Sequence, residues 1–139
     1  MKNAIERVID KQKTAFLSAI DADGFPQIKA MLSPRKRNGI REFWLTTNTS
    51  SHKVAQFRGN PKACLYFYER GRFGFHGTTF IGTIEVLTDK ESKEMIWQEG
   101  DDQYYEGGIS DPDYCVLKFT ATKCRYYHNF KKYDLEVDQ

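Results

Sequence analysis

No apolar run in this 139-residue chain approaches the ~20 residues that a membrane helix needs. The segment Met1 to Lys13 is charged throughout, where a signal peptide would carry an apolar core. A soluble, cytoplasmic protein with no membrane partner is expected. Cysteine is scarce: Cys64, Cys115 and Cys124 are an odd set without C-x-x-C spacing, each within an apolar or aromatic run. That argues against a disulfide frame or a metal site and for buried free thiols in a reducing compartment. Net charge is only +2, which argues against a dedicated nucleic-acid partner. No repeat, low-complexity tract or linker divides the chain, whose length supports one core but not two ordinary ones. A single domain over residues 1–139 is therefore expected.

The near-neutral charge conceals an uneven distribution. Residues 1–72 hold 14 Lys and Arg against 6 Asp and Glu, whereas residues 73–139 hold 7 against 13. Aromatics are abundant at 14%, with 8 Tyr and 10 Phe, which favours strands and broad contact surfaces over a helical bundle.

Along the chain, Ile5, Val8 and Ile9 recur at helical spacing and predict an N-terminal helix within residues 1–13. Thr14 to Ile20 reads as a strand, Asp21-Ala22-Asp23-Gly24 as a turn, and Pro26 to about Ser33 as its hairpin partner. Pro34 to Arg41 reads as a polar turn carrying Arg35, Lys36, Arg37 and Arg41, followed by a strand from Glu42 to Thr47. A short helix is expected over His52 to Arg58, stopped by Gly59-Asn60-Pro61. Lys62 to Tyr68 is apolar or aromatic on both alternating faces, as in a strand covered on both sides. Phe73 to Leu87 is a long strand whose Gly74, Gly77 and Gly82 mark bends or close approaches. Asp89 caps a helix to about Gln98, and Gly100 to Pro112 is an acidic, irregular loop. Tyr114 to His128 is a strand pair or one long bent strand, and residues 131–139 are a polar, frayed tail. About six strands in hairpin order with a few short helices predict a mainly β, small antiparallel barrel.

Chemistry is best placed at Thr46-Thr47-Asn48-Thr49-Ser50-Ser51-His52-Lys53, which leaves a strand and enters a helix. Hydroxyls, helix N-terminal amides and a lysine suit a phosphate dianion. The same residues also serve plain helix capping beside a solvated lysine. The Gly-rich patterns of dinucleotide and triphosphate folds are missing.

These residues stand in a longer series: Phe16-Leu17-Ser18, Asp21 to Pro26, Phe43 to Lys53, Asn60-Pro61-Lys62-Ala63, Gly82 to Asp89, and Asp111-Pro112-Asp113-Tyr114. In order and spacing the series resembles the split-barrel flavoproteins related to pyridoxamine 5′-phosphate oxidase, particularly the short, general-stress-protein-like members. The resemblance implies a six-stranded Greek-key split barrel of the FMN-binding type that forms a homodimer with FMN at the subunit interface. It implies that Lys29, Ala30, Met31 and Leu32 lie along the flavin ring, with Lys29 where relatives often carry a phosphate-binding Arg. Thr46 and Thr47 would contact the ring or ribityl chain. Ser51, His52 and Lys53 would gather at the phosphate, with His52 standing where many relatives carry Arg. Gly77 and Thr78 would make a further flavin contact, and Trp97, Tyr104 and Tyr105 would come from the partner subunit.

The chain departs from the oxidases of that family in Tyr126 to Lys132 and its acidic end, where they carry an Arg/His/Trp-bearing segment for the substrate phosphate. The resemblance therefore does not imply activity on vitamin B6 phosphates. An FMN-dependent oxidoreductase acting on an unidentified small substrate is the leading expectation, with no catalytic side chain assigned. A flavin-binding or stress-response protein without turnover is the alternative. A haem-binding barrel, with His52, His76 or His128 as axial ligand, and a deazaflavin-binding one are further alternatives. Single-strand nucleic-acid binding through the Arg35 to Arg41 loop is disfavoured by the acidic second half. In a dimer, the basic first half and the acidic Asp101, Asp102 and Glu106 would complement each other across the two-fold axis.

Overall fold

A computed structural model describes residues 1–72 and 74–137. Phe73, expected to open a strand and help fill the core, and Asp138 and Gln139 of the tail lie outside the described residues. Three helices, α1 (Lys2–Lys11), α2 (His52–Gly59) and α3 (Lys90–Ile96), stand around one antiparallel sheet. Its strands are β1 (Thr14–Ile20), β2 (Pro26–Leu32), β3 (Lys36–Asn38), β4 (Glu42–Asn48), β5 (Lys62–Arg70), β6 (Phe75–Leu87), β7 (Tyr114–His128) and β8 (Lys131–Leu135).

The expected mainly β, antiparallel architecture is present, and the expected six-stranded barrel is corrected on two counts. Among the described residues the sheet has eight strands, and its hydrogen-bonded order β2-β1-β5-β6-β7-β4-β3, with β8 on β7, leaves β2 and β3 as unpaired ends. Both extra strands come from polar segments that read as turn or tail. β3 is a three-residue edge strand on β4, pairing Lys36 with Trp44 and Asn38 with Glu42. Charged residues suit such an edge because its outer side faces water. β8 returns from β7 through a two-residue turn at Asn129 and Phe130, both with positive φ (52° and 63°), as a tight hairpin requires. Tyr133 and Leu135 of β8 pack on the core, which explains its order.

The segment from Tyr114 to His128 is one strand. Its first half pairs with β4 and its second half with β8 along the same edge, while β6 takes the other edge. The β6–β7 register shifts between Ile81 and Gly82. A Cβ at Gly82 would lie 1.9 Å from the Thr120 carbonyl oxygen, so the strands meet there at a distance that glycine permits.

Period-two alternation turns Phe43, Phe67, Phe80 and Phe119 inward, where the Phe43 ring lies 4.9 Å from Phe80 and 5.9 Å from Phe67. α1 lays Ile5, Val8 and Ile9 against this core at helical spacing. Cys115 and Cys124 are buried, Cys64 is half-buried, and all three are free thiols. Burial pushes the Cys124 thiol up to about 12, which makes it inert. A second cluster joins Ile96, Tyr105, Tyr114 and Val116, with Trp44 and Trp97 at its margin. β5 is covered on its inner face alone: Cys64 and Tyr66 are half-buried and Tyr68 is exposed, where both faces were expected to be covered.

The two oppositely charged halves meet within one chain. The Arg35 guanidinium donates to both Asp101 carboxylate oxygens at 3.0 Å, in a pair whose side chains are nearly buried. Arg37 donates to Glu6 and Asp10 of α1 at 2.8 Å. The Lys36 ammonium stands 5.3 Å from the Trp44 ring centre. The basic cluster therefore holds α1 and residues 96–101 to the sheet, and Asp101 is not a surface group awaiting a partner subunit. Among the described residues no helix is long and apolar enough to cross a membrane.

Candidate functional site

The open side of the sheet places β2 opposite α2. Gln27 and Lys29 of β2, the helix-capping Ser51, and His52, Lys53 and Gln56 of α2 line a cleft of about 400 Å³. α2 starts here because Asn48 to Ser51 turn the chain out of β4, with the Ser51 N–H bonded to the Asn48 carbonyl. Ser51 is the N-cap, yet its hydroxyl caps nothing: Oγ is buried and has no hydrogen-bond partner. The first amides of any helix lack intrahelical acceptors, and no acidic residue occupies this first turn.

Two cations complete the cleft. Neither Lys29 nor Lys53 forms an ion pair among the described residues. Burial, and after it the charge of Lys29, lower the Lys53 pKa below its usual 10.5. Two ammonium groups that repel each other beside helix amides and an unpartnered hydroxyl form an arrangement that an anion stabilises. A phosphate monoester supplies the acceptors that Ser51 Oγ and the amides lack, so these residues fit the phosphate end of a mononucleotide.

The other residues expected at the site separate into several places. Met31 turns inward and is buried, while Ala30 and Leu32 point to the outer face of β2. Thr46 and Thr47, adjacent in β4, face opposite sides of the sheet, and neither lines the cleft. Thr46 lies beside the Tyr105 phenol, which burial pushes up to about 12. Gly77 lies on the outer face of β6, where a Cβ would collide with the Tyr66 hydroxyl. Thr78 points into the core instead, fully buried between Phe67 and Tyr126, with its hydroxyl unpartnered. Trp97 and Tyr105 pack on Tyr114 of their own chain, at 5.2 and 4.8 Å between ring centres, and Tyr105 is almost wholly buried. Of the three expected partner-subunit residues, Tyr104 alone stands well exposed, at 51%.

The orphan hydroxyl of Thr78 carries a prediction of its own. Thr78→Val keeps the shape and removes a buried oxygen without a partner, so it should raise stability by about 1 kcal/mol in denaturant unfolding. A loss of similar size would mean that the hydroxyl holds a ligand or a water.

Sequence reasoning missed Gln27 and Gln56 at the cleft and a second, aromatic groove. Tyr66, Phe75, Gly77, Arg125, Tyr127 and Lys132 line about 530 Å³ on the outer face of β5 to β8, where Phe75 and Tyr127 stack at 4.8 Å. The signal for Gln27 was available, since it shares a face with Lys29 in a strand of period two. The histidines considered as axial ligands lie apart: His52 is at the cleft, whereas His76 bonds the Tyr126 hydroxyl at 2.8 Å and stacks on His128 at 3.9 Å.

Known proteins share this fold, and one shares much of the sequence. A protein from Clostridium acetobutylicum, related to general stress protein 26 of Bacillus subtilis and assigned to the pyridoxinephosphate oxidase family, is 39% identical. That similarity covers 99% of this chain and 94% of the other, with a TM-score of 0.87. General stress protein 26 from Bacillus anthracis shares the fold at 18% identity and a TM-score of 0.78, over 98% of each chain. A heme binding protein from Mycobacterium smegmatis also shares the fold, at 13% identity and a TM-score of 0.76, over 94% of this chain and 55% of the other. No curated protein matches the sequence. Residues 1–128 match the family model described as pyridoxamine 5′-phosphate oxidase, and with the 39% identity across nearly the full chain this establishes that the protein belongs to that family.

Proposed function

We propose that the protein binds FMN by its phosphate in the cleft between β2 and α2 and acts as an oxidoreductase on a small substrate. One observation carries the reading: Lys29, Lys53 and the orphan hydroxyl of Ser51 converge beside the first amides of α2 with no acid among them. Membership of the family supports it. Bound flavin would supply the hydride or electron transfer, and the chain's own task is to hold the phosphate and orient the ring. No carboxylate lines the cleft among the described residues, and no side chain there is assigned to proton transfer, which keeps flavin binding without turnover as the second reading. Haem is less well served, because His76 and His128 are engaged with each other and with Tyr126, which leaves His52 as the candidate ligand at the cleft.

A homodimer belongs to the same proposal. Ile28, Leu32 and Phe16 of the β1–β2 hairpin and Tyr68 and Phe75 of β5 and β6 are exposed on the sheet, Ile28 at 70%. An apolar face of this kind is what a second copy of the chain covers. Because Arg35, Arg37 and Asp101 are paired internally and the face is apolar, dimerisation on this face should be insensitive to salt. The three free thiols fit a reducing compartment such as the cytoplasm.

Titration of the purified protein with FMN tests the reading. One FMN per chain, on a dimer by light scattering, is the expected result. Absence of binding overturns the FMN assignment, and a haem spectrum would replace it. Steady consumption of a nicotinamide donor by the loaded protein separates an enzyme from a carrier.

A further inference from the structure

The loop that delivers Ser51 to the cleft is held from a distant part of the chain. Asp113, just before β7, accepts the Ser50 N–H at 2.7 Å through Oδ1 and the Asn48 side-chain amide at 2.9 Å through Oδ2. The Asp113 carbonyl accepts the Thr49 N–H at 2.7 Å, and the Thr49 hydroxyl donates to the Pro112 carbonyl at 3.0 Å. Asp113 is anchored in turn: its N–H donates to Asp111 Oδ1 at 2.9 Å, and the Asp111 carbonyl accepts from Lys93 of α3 at 3.1 Å. The bonds end at Tyr114, fully buried, whose hydroxyl donates to the Lys93 carbonyl at 2.7 Å.

This arrangement divides the tandem serines. Ser50 gives its backbone N–H to Asp113, while Ser51, one residue on, keeps a buried hydroxyl with no partner. We infer that Asp113 is a positioning residue for phosphate recognition: by engaging Ser50 and fixing residues 48–50, it leaves Ser51 and the first amides of α2 aimed into the cleft. The inference rests on the FMN reading above. It adds a residue outside the cleft, and it assigns a binding role to a carboxylate, a group that would repel a phosphate placed beside it. Hydrogen bonding by Asn48 and Ser50 holds the Asp113 carboxyl below the usual carboxylate range, so the clamp is charged at neutral pH.

Without the clamp, the loop can offer Ser50 to the ligand or to water, and the geometry at the phosphate loosens while the ring contacts stay. The ratio of FMN to riboflavin affinity reads this directly, because the two ligands differ by the phosphate alone. In Asp113→Ala, FMN affinity should fall about tenfold with riboflavin affinity within about twofold of wild type. Asp113→Asn, which keeps an acceptor for the Ser50 N–H, should recover most of the selectivity. If Asp113→Ala does not fold, Asn48→Ala, which removes one arm of the clamp, should lower the ratio by about threefold. Equal weakening of both ligands, or no change in either while wild type binds FMN, overturns the inference and leaves the FMN reading intact. Failure of wild type to bind FMN overturns the reading and the inference with it.

Discussion

Asp101→Ala should destabilise the protein by about 3 kcal/mol, a fall in melting temperature on the order of 10 °C for a domain of this size. The substitution leaves the Arg35 guanidinium in a site where its side chain is 11% exposed, with both of its 3.0 Å acceptors gone. It also removes the acceptor of the Gln98 N–H at 2.9 Å. An unpaired buried charge is far costlier than a missing pair, so the double variant Arg35→Met with Asp101→Leu should recover most of the loss. The acid limb of the stability curve provides the control. Burial pushes the Asp101 carboxyl up, but the Arg35 hydrogen bond, the Gln98 N–H and the Arg35 charge outweigh it and bring the pKa below 3.8. A carboxyl with a depressed folded pKa stabilises fully above its unfolded value and loses that contribution as pH falls through the folded one. Wild type and Asp101→Ala should therefore converge below pH 3.8. A loss under about 1 kcal/mol at neutral pH would show that Arg35 re-enters water at little cost. The pair also matters for the site, because it holds the segment that stacks Trp97 and Tyr105 on Tyr114, and Tyr114 anchors the bonds leading to Asp113. Trp97 fluorescence should shift to the red in the variant.

What the sequence made legible, and what it did not, follows the range of the interactions. The β1–β2 hairpin is written locally: Asp21 accepts from the backbone of Asp23 and Phe25 and from the Gln27 side chain, closing the turn with its own neighbours. The N-cap of α3 is equally local, with Asp89 accepting the Ser92 N–H at 3.0 Å. The phosphate loop was readable because hydroxyls, a helix start and a lysine fall together in one stretch. β3 and β8 were not readable, because β3 is ordered by the strand it pairs with, and the two apolar residues of β8, Tyr133 and Leu135, reach the core only once the hairpin with β7 has formed. The Arg35–Asp101 pair spans 66 residues, and nothing local announces it. The same holds for Asp113, a neighbour of the phosphate loop only because β7 pairs with β4 and sets Asn48 opposite Tyr114. Adjacent strand residues are a different case. Thr46 with Thr47, and Gly77 with Thr78, cannot share one face of a strand, so period-two alternation alone assigns the members of each pair to opposite sides of the sheet.

Removing the cations of the cleft should produce the other large effect, and it should run in opposite directions with and without ligand. Lys29→Met or Lys53→Met should each weaken FMN about tenfold and the double variant about a hundredfold, while riboflavin affinity changes little. Apart from ligand, the same substitutions should leave the protein as stable as before or more so, because the two ammonium groups repel each other and have no acidic partner. The pH dependence distinguishes this from generic loss of packing. A lysine whose folded pKa lies below 10.5 binds its proton less well folded than unfolded, so ligand-free stability should rise with pH from the lowered value up to 10.5. FMN affinity should fall across that same interval, as Lys53 gives up the charge that the phosphate requires. Both trends should be reduced together in Lys53→Met. If affinity stays flat in alkali while the ligand-free protein gains stability, Lys53 titrates without touching the phosphate, and the anion must be held by Ser51, the helix amides and Lys29.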